Sequence, residues 1–386
     1  MPGDRLFTQR FFVMCGFTFT VFVSGFMLFP SAPFHVLDFG GTKFTAGLFL
    51  GFFTYASAWS APFTGALADR LGKRRMLVIA SASLIGVCFL YAASPNYVLL
   101  LTVAPFHGLF WSALMTASAA YLVDHIPESR RAEGLSYWGI SIIAAIAVAP
   151  PLAFWIFRFG WFWICAGSAL ANLTMAAIAL SLPNGPDGKH GPRPEEARRT
   201  GLIEWRVLGV SLTLFLFTFG YGGITSFVAL YAEANGVSRG LYFTVLALVI
   251  LITRPLLGRL ADRIGHKLVL LPCLALTAMG LGLLVPGGAL VWLLASAVVF
   301  GLGFGSAFPV YSAYIMQHVA TARRGAAFGA MLAAFDTGIG TGSIAMGYVI
   351  EIADFGTAYG IAAALAALAV PFFVLTERNL LRGEWR

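Results

Sequence analysis

The stretch Gly65-Ala-Leu-Ala-Asp69-Arg70-Leu-Gly72-Lys73-Arg74 returns 193 positions later as Gly258-Arg-Leu-Ala-Asp262-Arg263-Ile-Gly265-His266-Lys267. The offset is half of the 386 residues. The same register maps Arg130-Arg131 onto Arg323-Arg324, Gly108 onto Gly301, Tyr121 onto Tyr314 and His125 onto His318. Separate matches at one spacing mark a chain made of two copies of one unit.

Around these loops the chain is apolar. Hydrophobic residues make up 59% and charged residues 11%, with a mean hydropathy of +0.83, whereas a soluble domain carries roughly 25% charged residues. A helix needs about 20 apolar residues to cross the hydrocarbon. Spans are predicted near 11–34, 45–68, 75–94, 97–122, 134–157 and 160–182, then near 207–232, 241–261, 268–286, 289–316, 326–350 and 355–376. The first is too long for the core of a signal peptide, and no small-residue cleavage site follows it. The expected fold is an all-α membrane protein of twelve transmembrane helices in two pseudo-symmetric six-helix bundles. The bundles cover 1–182 and 207–386, and the polar, Pro- and Gly-rich segment 183–206 is a linker.

Lys and Arg favour cytoplasmic loops. Alternating the spans puts twenty-one of the 25 on the side of both termini and three (Lys43, Arg158, Arg239) on the other, leaving Arg254 inside a span. Both termini are therefore expected in the cytoplasm, in a multi-pass protein of the inner membrane. The net charge of +8 is spread over these short clusters, a topology pattern that excludes nucleic acid as a partner. Cys15, Cys88, Cys165 and Cys273 lie in apolar runs without CxxC spacing, as small packed hydrophobes rather than metal ligands. No metal site, cofactor or nucleotide-binding loop is read from the sequence.

The loop G-x-L-A-D-R-x-G between spans two and three, repeated between spans eight and nine, resembles the signature of the major facilitator superfamily. Two six-span halves, a central loop and basic pairs before spans five and eleven extend the resemblance over the whole chain, towards the drug and sugar efflux (proton antiporter) branch. Gly65 and Gly258 sit one turn before an acid at a helix end, where a small residue permits close helix contact. Asp69 and Asp262 are acids among cations, placed to pair with Arg70 or Arg74 and with helix N-termini. The resemblance implies gates: Asp69 against the start of span eleven near Arg323-Arg324, Asp262 against span five near Arg130-Arg131. Gly72, Gly265 and Arg263 belong to the same loops.

Shared scaffold repeats, so charges that do not repeat are candidates for function. Arg254, about 9 Å into span eight, matches Ala61, and Asp336, about 16 Å into span eleven, matches Ile143. Charges this deep are costly. They are expected to pair, either as a structural bridge or with Asp336 as the proton-coupling acid, protons being the expected coupling ion. Span four reads Ala104-Pro-Phe-His107-Gly108 where the exporters carry Arg-x-x-Gln-Gly, so His107 is a candidate titrating group or a structural one. Span five keeps Pro150-Pro151 in a small-residue run, and span eleven keeps Gly338, Gly340 and Gly342, expected hinge positions. Tyr55, Trp59, Trp111, Tyr137, Trp138, Phe219 and Tyr221 are on spans that line the cavity in the superfamily. The expected function, not enzymatic, is secondary transport of a small neutral or amphiphilic molecule by alternating access in a monomer, as proton-coupled export. The alternative is an importer or facilitator of a sugar or small organic acid.

Overall fold

A computed structural model describes residues 6–127, 130–183, 205–319 and 323–382, so nearly all of the linker expected at 183–206 lies outside the described residues. Every described element is a helix. The first half holds α1 (Gln9–Leu28), prolonged by a short helix (Ala32–Asp38), then α2 (Lys43–Leu71), α3 (Lys73–Ala92), α4 (Tyr97–His125), α5 (Arg131–Phe157) and α6 (Trp161–Ser181). The second half holds α7 (Trp205–Ala234), α8 (Leu241–Ile264), α9 (His266–Gly282), α10 (Leu290–His318), α11 (Arg324–Ile352) and α12 (Phe355–Arg382). Each matches one predicted span.

Polar side chains start several helices by capping free backbone N–H groups. Asn96 accepts from the Leu99 amide at 3.0 Å. Thr42 and Thr45 bond each other's amides at 3.2 and 2.7 Å, a capping box opening α2. Asp354 accepts from the Thr357 amide at 2.8 Å, which holds its carboxyl below the usual carboxylate range. Single glycines join α2 to α3 and α8 to α9. Gly72 has φ +88° and Gly265 φ +102°, the left-handed region where a side chain is strained. The second glycine of the repeated loop is thereby explained.

The packing repeats as well. In the first half α1 packs on α5 and α6, α2 on α4, and α3 on α4 and α6; adding six to each number gives the second half. The repeat extends to single contacts. A methyl on Gly108 would lie 2.1 Å from the Phe53 carbonyl oxygen, and one on Gly301 3.2 Å from that of Leu246, itself 193 residues beyond Phe53. His125 and His318 each place Nδ1 2.8 Å from the carbonyl four residues back, of Tyr121 and Tyr314 respectively.

Among the described residues two helix pairs make most of the contact between the halves: α2 with α11, and α5 with α8. Each is the pseudo-symmetric image of the other. Nine described helices are long and apolar enough to cross a membrane on composition alone. The helices α2 and α11 do not meet that standard, and both are rich in Gly, Ser and Thr. Helices that face each other rather than lipid need small and hydrogen-bonding residues, not bulk hydrophobicity.

Candidate functional site

The seam between α2 and α11 closes by backbone approach. At the end remote from the chain termini, the Lys43 amide donates to Glu351 Oε2 at 2.7 Å. Further in, a methyl on Gly47 would lie 2.4 Å from the Ser343 carbonyl oxygen, and one on Gly340 2.3 Å from Thr54 Oγ1. Ser343 Oγ donates to the Gly47 carbonyl at 2.9 Å, and the Tyr55 and Thr341 hydroxyls are 2.7 Å apart. The last such contact is Ser57 Oγ donating to Asp336 Oδ2 at 3.3 Å. Beyond it, towards the termini side, no hydrogen bond or glycine contact between described residues of α2 and α11 is seen, and Phe63, Leu67 and Asp69 are exposed. The described contacts between α2 and α11 thus gather on the side opposite the termini and stop at Ser57 and Asp336.

The other seam adds cationic side chains to one backbone approach. A methyl on Gly240 would lie 2.7 Å from Pro151 Cα. Beside it Arg239, paired with Glu233, reaches from the second half onto an aromatic cluster of the first, with its guanidinium 4.5 Å from the Phe34 ring centre, 5.7 Å from Phe157 and 6.0 Å from Phe154. One turn beyond the level matching Ser57 and Asp336, the Arg254 guanidinium lies 3.4 Å from where a methyl on Gly139 would sit. Arg254 is half-buried and has no ion pair or hydrogen bond among the described residues. The expected bond between Arg254 and Asp336 is not formed. They belong to different seams, and Asp336 is held by Ser57.

The signature loops bind within their own halves. Lys73 pairs with Asp124 at the end of α4, while its counterpart His266 meets Gln317 at the end of α10 at 3.4 Å. Arg74 donates to the Ala179 and Leu180 carbonyls at 3.3 and 2.6 Å, and its counterpart Lys267 pairs with Glu377. The reason for the exchange is local. Helix α6 ends at Ser181 and leaves its last carbonyls free, whereas α12 runs on, and a side-chain carboxylate stands in for them. The expected pairing of Asp69 with Arg70 or Arg74 is therefore not made here. Asp69 is exposed without a partner among the described residues, and Asp262 lies 3.7 Å from His266. Arg130 forks onto Glu133 with two bonds of 2.8 Å. Arg70 and Arg263 are exposed, and the side chains of Arg131 and Arg324 lie outside the described residues. Nothing lies within 4 Å of a methyl on Gly65 or Gly258, so the close contacts expected there are absent in this conformation.

His107 is not at either seam. It is 2% exposed, with the Tyr91 hydroxyl 3.3 Å from Nδ1 and the Phe53 ring centre at 4.8 Å, a structural place in the first half. Trp111 is buried in the same cluster against Phe29 and Phe53, and Phe219 is buried under Gly342. Neither offers its ring to a cavity. Tyr221 is half-buried and stacks on Phe304 at 4.3 Å, and Phe335, next to Asp336, packs on Phe308 at 4.9 Å. Trp138 donates to Thr18 Oγ1 at 2.7 Å, Tyr137 meets Phe7, and Trp59 is largely exposed. The helix α11 runs unbroken through Gly338, Gly340 and Gly342, as α5 does through Pro150. Those glycines serve close approach. Methyls on Gly338 and Gly342 would lie 2.7 and 1.9 Å from the Phe215 and Phe219 carbonyl oxygens of α7.

Ser57, Glu351, Arg239 with its three rings, and Phe304 escape sequence reasoning. The signal for Arg239 was present: it is one of only three cations on the sparsely charged side.

The duplicated fold and its signature loops agree with comparison against known proteins. The Major Facilitator Superfamily profile matches residues 14–246 and 210–383. The chain belongs to that superfamily. The uncharacterized MFS-type transporter YhhS of Escherichia coli K12 is 26% identical over 360 residues, covering 88% of this chain and 85% of the relative. YhhS of Salmonella typhi is 27% identical over 362 residues, with the same coverage of both. Among solved structures, a peptide transporter POT bound to sulfate superposes with a TM-score of 0.78 at 13% identity, covering 96% of this chain and 95% of that one. The nucleoside transporter NupG gives 0.73 at 15% identity (95% and 99% covered), and the human organic anion transporter MFSD10 gives 0.69 at 16% (97% and 100%). These are transporters, not enzymes, and the chain is an MFS-type multi-pass membrane transporter of small molecules.

Proposed function

We propose that this transporter exports a small amphiphilic organic molecule across the bacterial inner membrane by alternating access, driven by inward proton flow, with both termini in the cytoplasm. The observation that carries the reading is the place of Asp336. It is a carboxylate without a cation partner among the described residues, held by one hydroxyl, where the contacts between α2 and α11 end. Protonation there removes the charge that Ser57 solvates and weakens a bond between the halves, so proton occupancy biases the seam. The termini side, beyond those contacts, is then the one that takes cargo from the cytoplasm. Gly65, Asp69, Gly258 and Asp262, now uncovered, are the parts that meet helix ends when that side shuts.

The test is the purified protein in liposomes with an imposed pH gradient and a panel of labelled aryl amides, alcohols and carboxylates. In Asp336→Asn, gradient-driven flux is expected to fall to background while exchange without a gradient persists. Undiminished gradient-driven flux in that variant overturns the coupling role. Comparing inverted with right-side-out vesicles reads the direction.

A further inference from the structure

We infer that Arg254 is a recognition point for an anionic group of the cargo, a carboxylate being the class that fits a guanidinium best. The inference deepens the transport reading above and rests on it. A guanidinium within a membrane-spanning helix is costly and persists where it has a partner. Among the described residues, no carboxylate on the helices around Arg254 pairs with it. Glu133 is the only acid on α5, six residues nearer the termini side, and is held by two bonds from Arg130. Asp262, the only acid on α8, is eight residues away beside His266. The remaining contact helix at this level, α10, carries no acid, and Asp336 sits in the opposite seam on Ser57.

What the guanidinium packs on is instead the bare backbone of α5 at Gly139. Arg254 is half-buried, one turn beyond the level where the contacts between α2 and α11 stop. Arg254 has no counterpart in the first half, where Ala61 stands, so the fold does not require a cation at this level. Five donors in a planar fork suit a carboxylate in two parallel bonds. The half-buried rings of Tyr221, Phe304 and Phe335 supply an apolar surface in the same half for the body of such a molecule. The amphiphilic cargo thereby becomes an amphiphilic carboxylate.

The test measures binding rather than flux, so that its failure is separate from failure of the transport reading. Benzoate, 4-phenylbutyrate and octanoate, each with its primary amide, are titrated into the detergent-purified full chain, reading tryptophan fluorescence and thermal midpoint. At least one carboxylate is expected to bind more tightly than its amide. Arg254→Gln is expected to lose that preference by about tenfold or more, Arg254→Lys to keep part of it, and the amides to be unaffected. The ligand-free midpoint of Arg254→Gln is expected to equal or exceed that of the parent, because no internal ion pair is lost. A lower ligand-free midpoint, a preference that survives Arg254→Gln, or a parent protein that binds no carboxylate better than its amide overturns the assignment.

Discussion

The two seams are built from the same helices of the repeat, and they close by different chemistry. Between α2 and α11 small and hydroxyl residues meet along the helices: Gly47 lies against the Ser343 carbonyl, Gly340 against the Thr54 hydroxyl, and the Lys43 amide on the Glu351 carboxylate. Between α5 and α8 one backbone approach, of Gly240 to Pro151, is joined by Arg239 on three aromatic rings, and deeper in by Arg254 over Gly139. Duplication therefore conserves which helices meet while leaving free what they say to each other. One seam has become a close-packed plate with an acid at each end, Glu351 and Asp336. The other is a looser contact carrying cations. Opposite charges in opposite seams do not neutralise each other and, as proposed above, one takes a proton and the other cargo.

The largest break of this contrast comes from adding a methyl to each side. Gly47→Ala places a carbon 2.4 Å from the Ser343 carbonyl oxygen across the seam between α2 and α11. Overpacking of this kind costs about 1–3 kcal/mol, read as a lowered thermal midpoint in detergent. Gly139→Ala meets the Arg254 guanidinium at 3.4 Å, an ordinary contact, and is expected to leave the midpoint unchanged. Equal losses in both variants would erase the distinction between the seams.

A smaller effect sharpens it. Removing the side chain of Arg239 loses a cation–π contact worth about 0.5–2 kcal/mol, which corresponds to roughly a 2- to 30-fold gain in the population open on that side. Labelling of Thr341→Cys by a membrane-impermeant maleimide, in a background with its four cysteines replaced, is expected to accelerate in Arg239→Gln. Lys43→Gln is expected to change it less, because it keeps the backbone bond to Glu351 and loses one cation–π contact, to Phe355 at 5.3 Å, where Arg239 makes three.

Much of the architecture was legible because duplication writes it twice. The repeated loops give the two halves and support the helix count, but the positive φ of Gly72 and Gly265 and the ties of Lys73 and Arg74 within their half come from the structure alone. The unrepeated Arg254 and Asp336 are visible by subtraction. Their partners are not, because the helices are apolar on nearly every face, and no periodicity tells which face meets protein and which meets lipid. For that reason Trp111, Phe219 and His107 read as cavity or coupling residues and lie in packed cores, while Phe304 and the rings under Arg239 went unnoticed. The glycines of α11 read as hinges for the same reason: composition shows that a side chain is missing, and only the neighbouring Phe215 and Phe219 carbonyls show why.

The account rests on the two ends of the seams opening in turn. Spin labels at Leu67→Cys with Phe328→Cys report the termini side, and labels at Phe44→Cys with Tyr348→Cys report the other, where those two rings now meet at 6.0 Å. Double electron–electron resonance on the cysteine-replaced protein is predicted to find two populations, one matching this structure and one with the first distance shorter and the second longer. Asp336→Asn is predicted to shift their ratio, and Gly65→Leu with Gly258→Leu to abolish the second population by blocking close approach. Distances that stay single and fixed across pH and across these variants, or that lengthen together, would contradict alternating closure of the two seams.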